Sequence, residues 1–446
     1  MPIKRKNGSS AAALLPMLIL IALLVVLVGL LVARKNAARA ESVSEVSAFL
    51  AATPGIPEPA GLSASQSSQS DTPAGPEATG APETTPEPTA TPVPVTEYFT
   101  ISMVGDCTLA EAKTRRGWGS AYQSVVGKNY AFPFANTVSY FSQDYLSIAN
   151  LECSLSDNYY DSIEQFVFLG PSAYANILSE GSIEFVTLAN NHTMDFGVGA
   201  YSDTVASLNA ANVASAGEDE IYIYQREDGL KVGIYCLYGQ LTYNAMSIRS
   251  GLDQAKLVSS GKEKISNAAQ SLQQAGAEYL VACLHMGREG YYETTDTQVE
   301  VSRHAIDQGF DLVCCSHAHR LQPAESYGGG MIFYGLGNWS FGGHTNPGNG
   351  TDAGAYDTGI AQVTVRRTGD EIALDSYTFI PCCISSSAGT DLDSFTPNPN
   401  TLNNYQPTPY LKDGAAWKRA MSMLNGTYEG ANYTTDYGNV LTAMNS

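Results

Sequence analysis

Residues 311–323 read Asp-Leu-Val-Cys-Cys-Ser-His-Ala-His-Arg-Leu-Gln-Pro, so the apolar run Leu312 to Cys315 is followed at once by His317 and His319. A short apolar run of this kind suits a buried strand. Two imidazoles one residue apart, just past its end, can turn back toward one point. The pattern recurs on working outward. His285 follows Leu280 to Leu284, and Asn191-His192 follow a run ending at Ala189. Further upstream, Asn150-Leu151-Glu152 end the run begun at Tyr145, and Asp106 ends Phe99 to Gly105. Five segments thus each bring a metal-capable side chain to a strand end, the edge of an open α/β sheet where chemistry collects.

Taken singly, these residues have ordinary readings. Asp106 after a glycine suits a turn, Glu152 a solvated carboxylate, and His285 the polar end of a strand. His-x-His alone is a weak motif. The ordered set is what points to a metal centre. Neutral imidazoles at His285, His317 and His319 are joined by hard oxygens at Asp106 and Glu152 and a carbonyl oxygen at Asn191. A carboxylate can bridge, and mixed nitrogen and oxygen donors suit a two-ion hydrolytic site.

The fold class follows from the wider pattern. Apolar runs are expected as strands at Tyr98–Val104, Tyr145–Ala149, Ile183–Ala189, Ile221–Gln225, Val232–Leu237, Glu278–Leu284, Asp311–Cys315, Met331–Tyr334, Ile360–Arg366 and Ile372–Phe379. They alternate with helical periods at Pro171–Glu180, Ala200–Ala211, Leu257–Ala275 and Thr297–Gln308, the third stopped by Gly276. Such alternation is the sequence form of stacked βα units, hence an α/β domain. Asp228-Gly229 reads as a tight hairpin turn. Past Ile384 the pattern thins, leaving one helical candidate at Leu411–Leu424 in an appended segment that is either packed on the domain or partly disordered.

The amino-terminal fifth has a different character. Residues 11–33 are uncharged and mostly Ala, Leu, Val and Ile, long enough to span a bilayer. Lys4, Arg5 and Lys6 before the span nearly balance Arg34, Lys35 and Arg39 after it, with a slight vote for an inside amino terminus. An uncleaved anchor is expected on length, with a cleaved signal the alternative because Ala38-Arg39-Ala40 resembles a processing site. Residues 34–96 are a Pro/Thr/Ser-rich disordered linker that favours extended conformations. The expected organisation is therefore a cytoplasmic tail (1–10), a single-pass anchor (11–33), the linker (34–96), an extracytoplasmic domain (97–385) and a carboxyl-terminal extension (386–446).

A net charge of −20 argues against nucleic acid as a partner, because binding needs clustered Lys and Arg. The eight cysteines leave two readings open. Cys236 and Cys283 lie inside apolar runs and suit buried thiols; a bridge from Cys314 or Cys315 to Cys382 or Cys383 is the alternative.

Six blocks carry a resemblance: Met103 to Asp106, Ala149 to Glu152, Leu188 to Gly197, His285 to Glu289, Asp311 to Pro323 and Tyr334 to Phe341. In that order they resemble the CapA family of capsule-synthesis proteins of the poly-γ-glutamate type, related to calcineurin-like metallophosphoesterases. The resemblance implies a four-layer αββα sandwich with a centre at one sheet edge. It implies Asp106, Glu152, Asn191, His285, His317 and His319 as ligands to two divalent ions (Mn, Fe or Zn). His192 is implied as the acid and Asp195 as its orienting carboxylate, with Asn150, Arg288, Glu289 and Asn338 lining the substrate pocket. Departures from the family pattern fall at Thr108, Met286, Gly290 and Ser316, and they leave one ion position weaker or differently ligated.

The function implied is a metal-dependent, phosphoesterase-like hydrolase in capsule or surface-polymer synthesis. Its partners would be an anionic polymer or phosphorylated precursor and a membrane polymer synthase. The alternatives are a noncatalytic assembly protein that binds polymer, and a γ-glutamyl amide hydrolase or transferase.

Overall fold

Alternation within the strands decides which face each residue meets. In Thr96–Thr108, Phe99, Ile101 and Met103 join one apolar cluster while Val104 and Cys107 join another. The computed structural model describes residues 94–112, 121–158, 160, 162, 166–238, 254–343, 352–387, 393 and 402–430. The expected tail, the span at 11–33 and nearly all of the linker lie outside the described residues. Among the described residues no helix is long and apolar enough to cross a membrane.

Two large sheets form. The first runs in the order Thr408–Pro409, Glu371–Cys383, Asp357–Thr368, Thr96–Thr108, Leu146–Leu151, Phe185–Thr187 and Ala214–Ala216, with Asn338–Phe341 also paired to Thr96–Thr108. The second runs Ala324–Tyr327, Gly330–Phe333, Leu312–Ser316, Tyr279–His285, Val232–Leu237 and Glu220–Tyr224. Each of the ten expected strands is present within a few residues.

The layers follow from three apolar clusters. The central one takes Ile101, Ile148 and Val363 from the first sheet and Val281, Leu312 and Met331 from the second, so the sheets pack face to face. The outer face of the first sheet packs Leu151 and Val186 against Ile177, Leu178 and Leu208 of helices Ala175–Glu180 and Gly197–Ala210. The outer face of the second packs Leu280 and Val313 against Ile265, Leu272 and Val301 of helices Gln254–Gln274 and Asp296–Asp307. This is the expected four-layer αββα arrangement. Gly276 ends the long helix at φ +79, a backbone state that costs glycine little.

One expectation needs correction, and two open alternatives are decided. Asp228-Gly229 does not make a two-residue turn. Tyr224 pairs with Val232, so residues 225–231 form a longer connection, with Glu227 at φ 51. The carboxyl-terminal segment packs on the domain. Tyr410 and, from helix Ala415–Leu424, Ala416, Ala420, Met423 and Leu424 belong to the central cluster, so the domain extends beyond residue 385. Finally, all eight cysteines are free, and burial pushes the thiol of Cys383, for one, up to about 12. The packing argument for buried thiols holds over the disulfide alternative.

Asp311, at the start of its strand, accepts from the backbone N–H of Leu280 at 2.7 Å, but burial still raises its carboxyl to about 6. A raised carboxyl means that the folded chain holds this proton more tightly than the unfolded one. Its stability contribution is therefore full below about pH 4 and is lost as pH rises through about 6. Asp311→Asn should remove that dependence. Relative to the unsubstituted protein, the variant is expected to gain about 1–3 kcal/mol between pH 5 and pH 8 in chelator-treated denaturant melts.

Candidate metal centre

The inward-facing rows of both sheets end in the candidate residues. Past Leu146 and Ile148 the same face continues to Asn150 and Glu152, past Tyr279, Val281 and Cys283 to His285, and past Leu312 and Cys314 to Ser316. The pleat thus turns an apolar row into a polar one at the carboxyl edge of each parallel stretch. Asp106 reaches the same place by an irregularity. Pairing shifts register between Met103 and Asp106, and Asp106 N–H donates to Gly337 O at 3.0 Å. Gly105 is required here, because a Cβ at that position would overlap the Gly337 carbonyl. His317 and His319 lie just past their strand at φ 97 and 52, a left-handed turn that brings both rings back to the edge.

The side chains converge. His319 Nδ1 lies 3.2 Å from Asp106 Oδ2 and 2.9 Å from Asn338 Oδ1, and its Nε2 lies 3.9 Å from Glu152 Oε1. His285 Nε2 lies 3.7 Å from the same Glu152 oxygen and 2.7 Å from Asn191 Oδ1, while its Nδ1 meets Ser316 Oγ at 2.7 Å. The rings of His285 and His317 are 4.7 Å apart. Asn150 Nδ2 donates to Asp106 Oδ1 at 2.9 Å and to Glu152 Oε2 at 3.3 Å. Glu289, on the rim, faces His317 Nε2 at 3.9 Å.

The donors fit a divalent ion. Two three-ligand groups form, Glu152 with His285 and His317, and Asp106 with Glu152 and His319, and Glu152 is common to both. Glu152 Oε1 and His317 Nδ1 are buried without a hydrogen-bond partner, which proteins rarely tolerate unless an ion or water completes them. Separations of 3.7 and 3.9 Å are too long for hydrogen bonds. They are near the roughly 3.4 Å expected between two ligands each about 2.1 Å from a tetrahedral ion.

Electrostatics agree. Burial, then repulsion from Asp106, holds the Glu152 carboxyl well above the usual range. Burial, reinforced by His317, His319 and His192, pushes His285 well down, and burial also lowers His317. Burial opposes charge on His319, but the combined pull of Glu152 and Asp106 raises it to about 10. A cation would relieve the carboxylate repulsion and replace that imidazole proton.

Beside the cluster, His192 Nδ1 lies 3.0 and 3.2 Å from the two Asp195 oxygens, and Asp195 Oδ2 accepts from the backbone N–H of Phe168 at 3.0 Å. Phe168 packs its edge on His192 and also meets Phe341, which packs on His319, so two buried aromatic rings space the histidines. Arg288 is not drawn into the cluster; it is exposed and stacks over Tyr291 at 3.7 Å. Arg320 is buried beside the cluster. It is 6% exposed and donates to the His319 carbonyl at 2.8 Å and to Asp352. His304 is structural, near Lys262 O and Ser266 on neighbouring helix Gln254–Gln274.

The family model for the bacterial capsule synthesis protein PGA_cap matches residues 100–342. The chain is similar to the capsule biosynthesis protein CapA of Bacillus anthracis, 23% identical over 55% of this chain and 60% of that one. It is also similar to the PGA biosynthesis protein CapA of Bacillus subtilis, 26% identical over 37% of this chain and 44% of that one. A probable polyglutamine synthesis accessory protein of Mycobacterium tuberculosis is 27% identical over 34% and 43%. The chain thus spans less than two thirds of the length of these relatives. Among solved structures, the calcineurin-like phosphoesterase YfkN of Bacillus subtilis aligns with a TM-score of 0.38 and 12% identity, over 64% of this chain and 91% of that one.

Proposed function

The chain belongs to the bacterial capsule synthesis protein family PGA_cap, and we propose that it is a metal-dependent hydrolase of phosphoesterase type, acting on a cell-surface polymer or its precursor. In this reading residues 11–33 anchor it in the cell membrane, residues 34–96 hold the domain away, and the domain works on the extracytoplasmic side beside a membrane synthase. The polymer class is anionic, of the poly-γ-glutamate kind that the relatives' names indicate. One observation carries the reading: buried carboxylates and imidazoles from both sheets meet at Glu152, with buried donor atoms left without hydrogen bonds.

Asp106, Glu152, Asn191, His285, His317 and His319 would hold the ions. When bound, divalent ions such as Mn²⁺, Fe or Zn²⁺ supply Lewis acidity and make water a nucleophile near neutral pH. The protein's own residues do the rest. Asp195 accepts the Nδ1–H of His192 and so presents Nε2 to a leaving-group oxygen, the geometry of a positioned acid. Arg288, exposed and held flat on Tyr291, offers a guanidinium to a phosphate or carboxylate at the rim. Asn150 and Asn338 hold Asp106 and His319 in place, and Glu289 closes the rim beside His317.

A noncatalytic, polymer-binding reading is favoured by one feature. Thr108 donates to the Glu152 carbonyl at 3.2 Å and is fully buried, so it adds no ligand to the Asp106 group. The full chain in Mn²⁺, assayed on phosphomonoesters, phosphodiesters and γ-glutamyl peptides, separates these readings. Turnover is expected to fall about 10²–10⁴-fold in His192→Ala while bound metal is unchanged. A metal-loaded chain inert on every substrate, yet binding poly-γ-glutamate, would establish the assembly role instead.

A further inference from the structure

We propose that Asn190, a residue outside both ligand groups, is the positioning residue that sets the turn bearing Asn191 and His192 against the carboxylate pair; this rests on the metal-centre reading above. Asn190 is 6% exposed and uses both ends of its carboxamide. Its Oδ1 accepts from His192 N–H at 3.1 Å and Thr193 N–H at 2.9 Å, while Thr193 Oγ1 donates to Leu188 O at 2.6 Å, and these bonds wind the turn after strand Phe185–Thr187. Its Nδ2 donates to Leu151 O at 2.8 Å and to Asn150 Oδ1 at 3.0 Å. Asn150 then spends its own Nδ2 on Asp106 and Glu152. Two amides in series therefore tie the His192 turn to both carboxylates.

The directions of these bonds give the relay its specificity. A carboxamide donates from one end and accepts at the other, so Asn190 can serve the turn and the neighbouring strand end at once. Asn150 must point its oxygen at Asn190 in order to offer its N–H groups to the carboxylates. Buried partners of metal ligands commonly set affinity without touching the ion.

Asn190→Asp is the discriminating change. The variant keeps the acceptor that winds the turn and loses the donor that reaches Asn150 and Leu151. Calorimetric titration of the full, metal-stripped chain with Mn²⁺ is expected to show a 10–100-fold weaker affinity, with circular dichroism unchanged. Asn150→Ala should also weaken binding, and the double variant should be no weaker than the worse single one, because both cut one relay. Should Asn190→Asp not fold, Asn150→Ala must by itself show the loss on a folded chain. Unchanged Mn²⁺ affinity in Asn190→Asp, or losses that multiply in the double variant, would overturn the proposal. An unsubstituted chain that takes up no Mn²⁺ would sink the metal centre itself, a separate outcome.

Discussion

Glu152→Gln is expected to abolish tight divalent-ion binding at both positions at once, lowering Mn²⁺ affinity by at least about 100-fold. The reason is topological. Glu152 is common to the two ligand groups, whereas Asp106 and His319 serve one and His285 and His317 the other. His317→Ala should therefore spare the Asp106 position, and Asp106→Asn the His285 position, in a titration that counts ions. Stability should respond with opposite signs in the two metal states. Without metal, Glu152 is fully buried beside Asp106, its carboxyl pushed up by burial and by that neighbour, so the neutral amide should melt higher than the parent. With metal at about 100 times its dissociation constant, the parent should gain about 2.7 kcal/mol per bound ion and the variant at most about 0.4 kcal/mol. Melting curves with chelator and with Mn²⁺ should therefore cross in rank. A Glu152→Gln protein that still binds two ions, or that melts lower than the parent in chelator, would refute the shared-carboxylate arrangement.

That shared position could be read in the sequence because the pleat is regular. Ile148, Asn150 and Glu152 stand two apart, as do Cys283 and His285, so the inward face of each strand predicts where its last polar residues point. What the sequence hid depends on contacts between segments far apart in the chain. Asn338 is named by the resemblance alone, because it lies on a four-residue strand flanked by glycine, and its place beside His319 comes from that strand's pairing with Asp106. Arg320 carries no local sign of its burial, because its carboxylate partner Asp352 comes 32 residues later. Asn190 beside Asn191 carried no separate signal, since an amide's role depends on which atoms face it. For Arg288 the motif names the residue but not the Tyr291 ring on which its guanidinium stacks. The carboxyl-terminal helix is legible as a helix, but its burial in the core is hidden for a similar reason. Segment 384–410 is rich in Ser, Thr, Asn and Pro, and composition alone does not reveal that Tyr410 and Leu424 are buried in the central core.

The same helix supplies the second large effect, since Arg419→Ala is expected to cost about 3–5 kcal/mol. Arg419 Nε and Nη2 reach the two oxygens of Asp357 at 2.7 Å each, and Tyr410 Oη donates to the same carboxylate at 2.6 Å. The Asp357 side chain is fully buried, whereas that of Arg419 is 18% exposed. Removing the arginine strands the carboxylate with one neutral donor, and the penalty is that of an unpaired buried charge more than of a lost contact. For a domain of this size the melting temperature should fall by roughly 6–20 °C, at about 2–4 °C per kcal/mol. If the stranded charge is the cause, Asp357→Asn combined with Arg419→Met should recover much of the loss. A loss from missing apolar contact would not be recovered in that way. The metal edge should feel the change too. Asp357 begins the strand whose Thr358 Oγ1 donates to Leu336 O at 2.7 Å, and the next residue, Gly337, accepts from Asp106 N–H. Ending the chain at residue 385 removes the arginine together with Tyr410, Ala416, Ala420, Met423 and Leu424. That truncated chain should therefore be less stable than Arg419→Ala, and one that melts with the parent would show the helix to be dispensable.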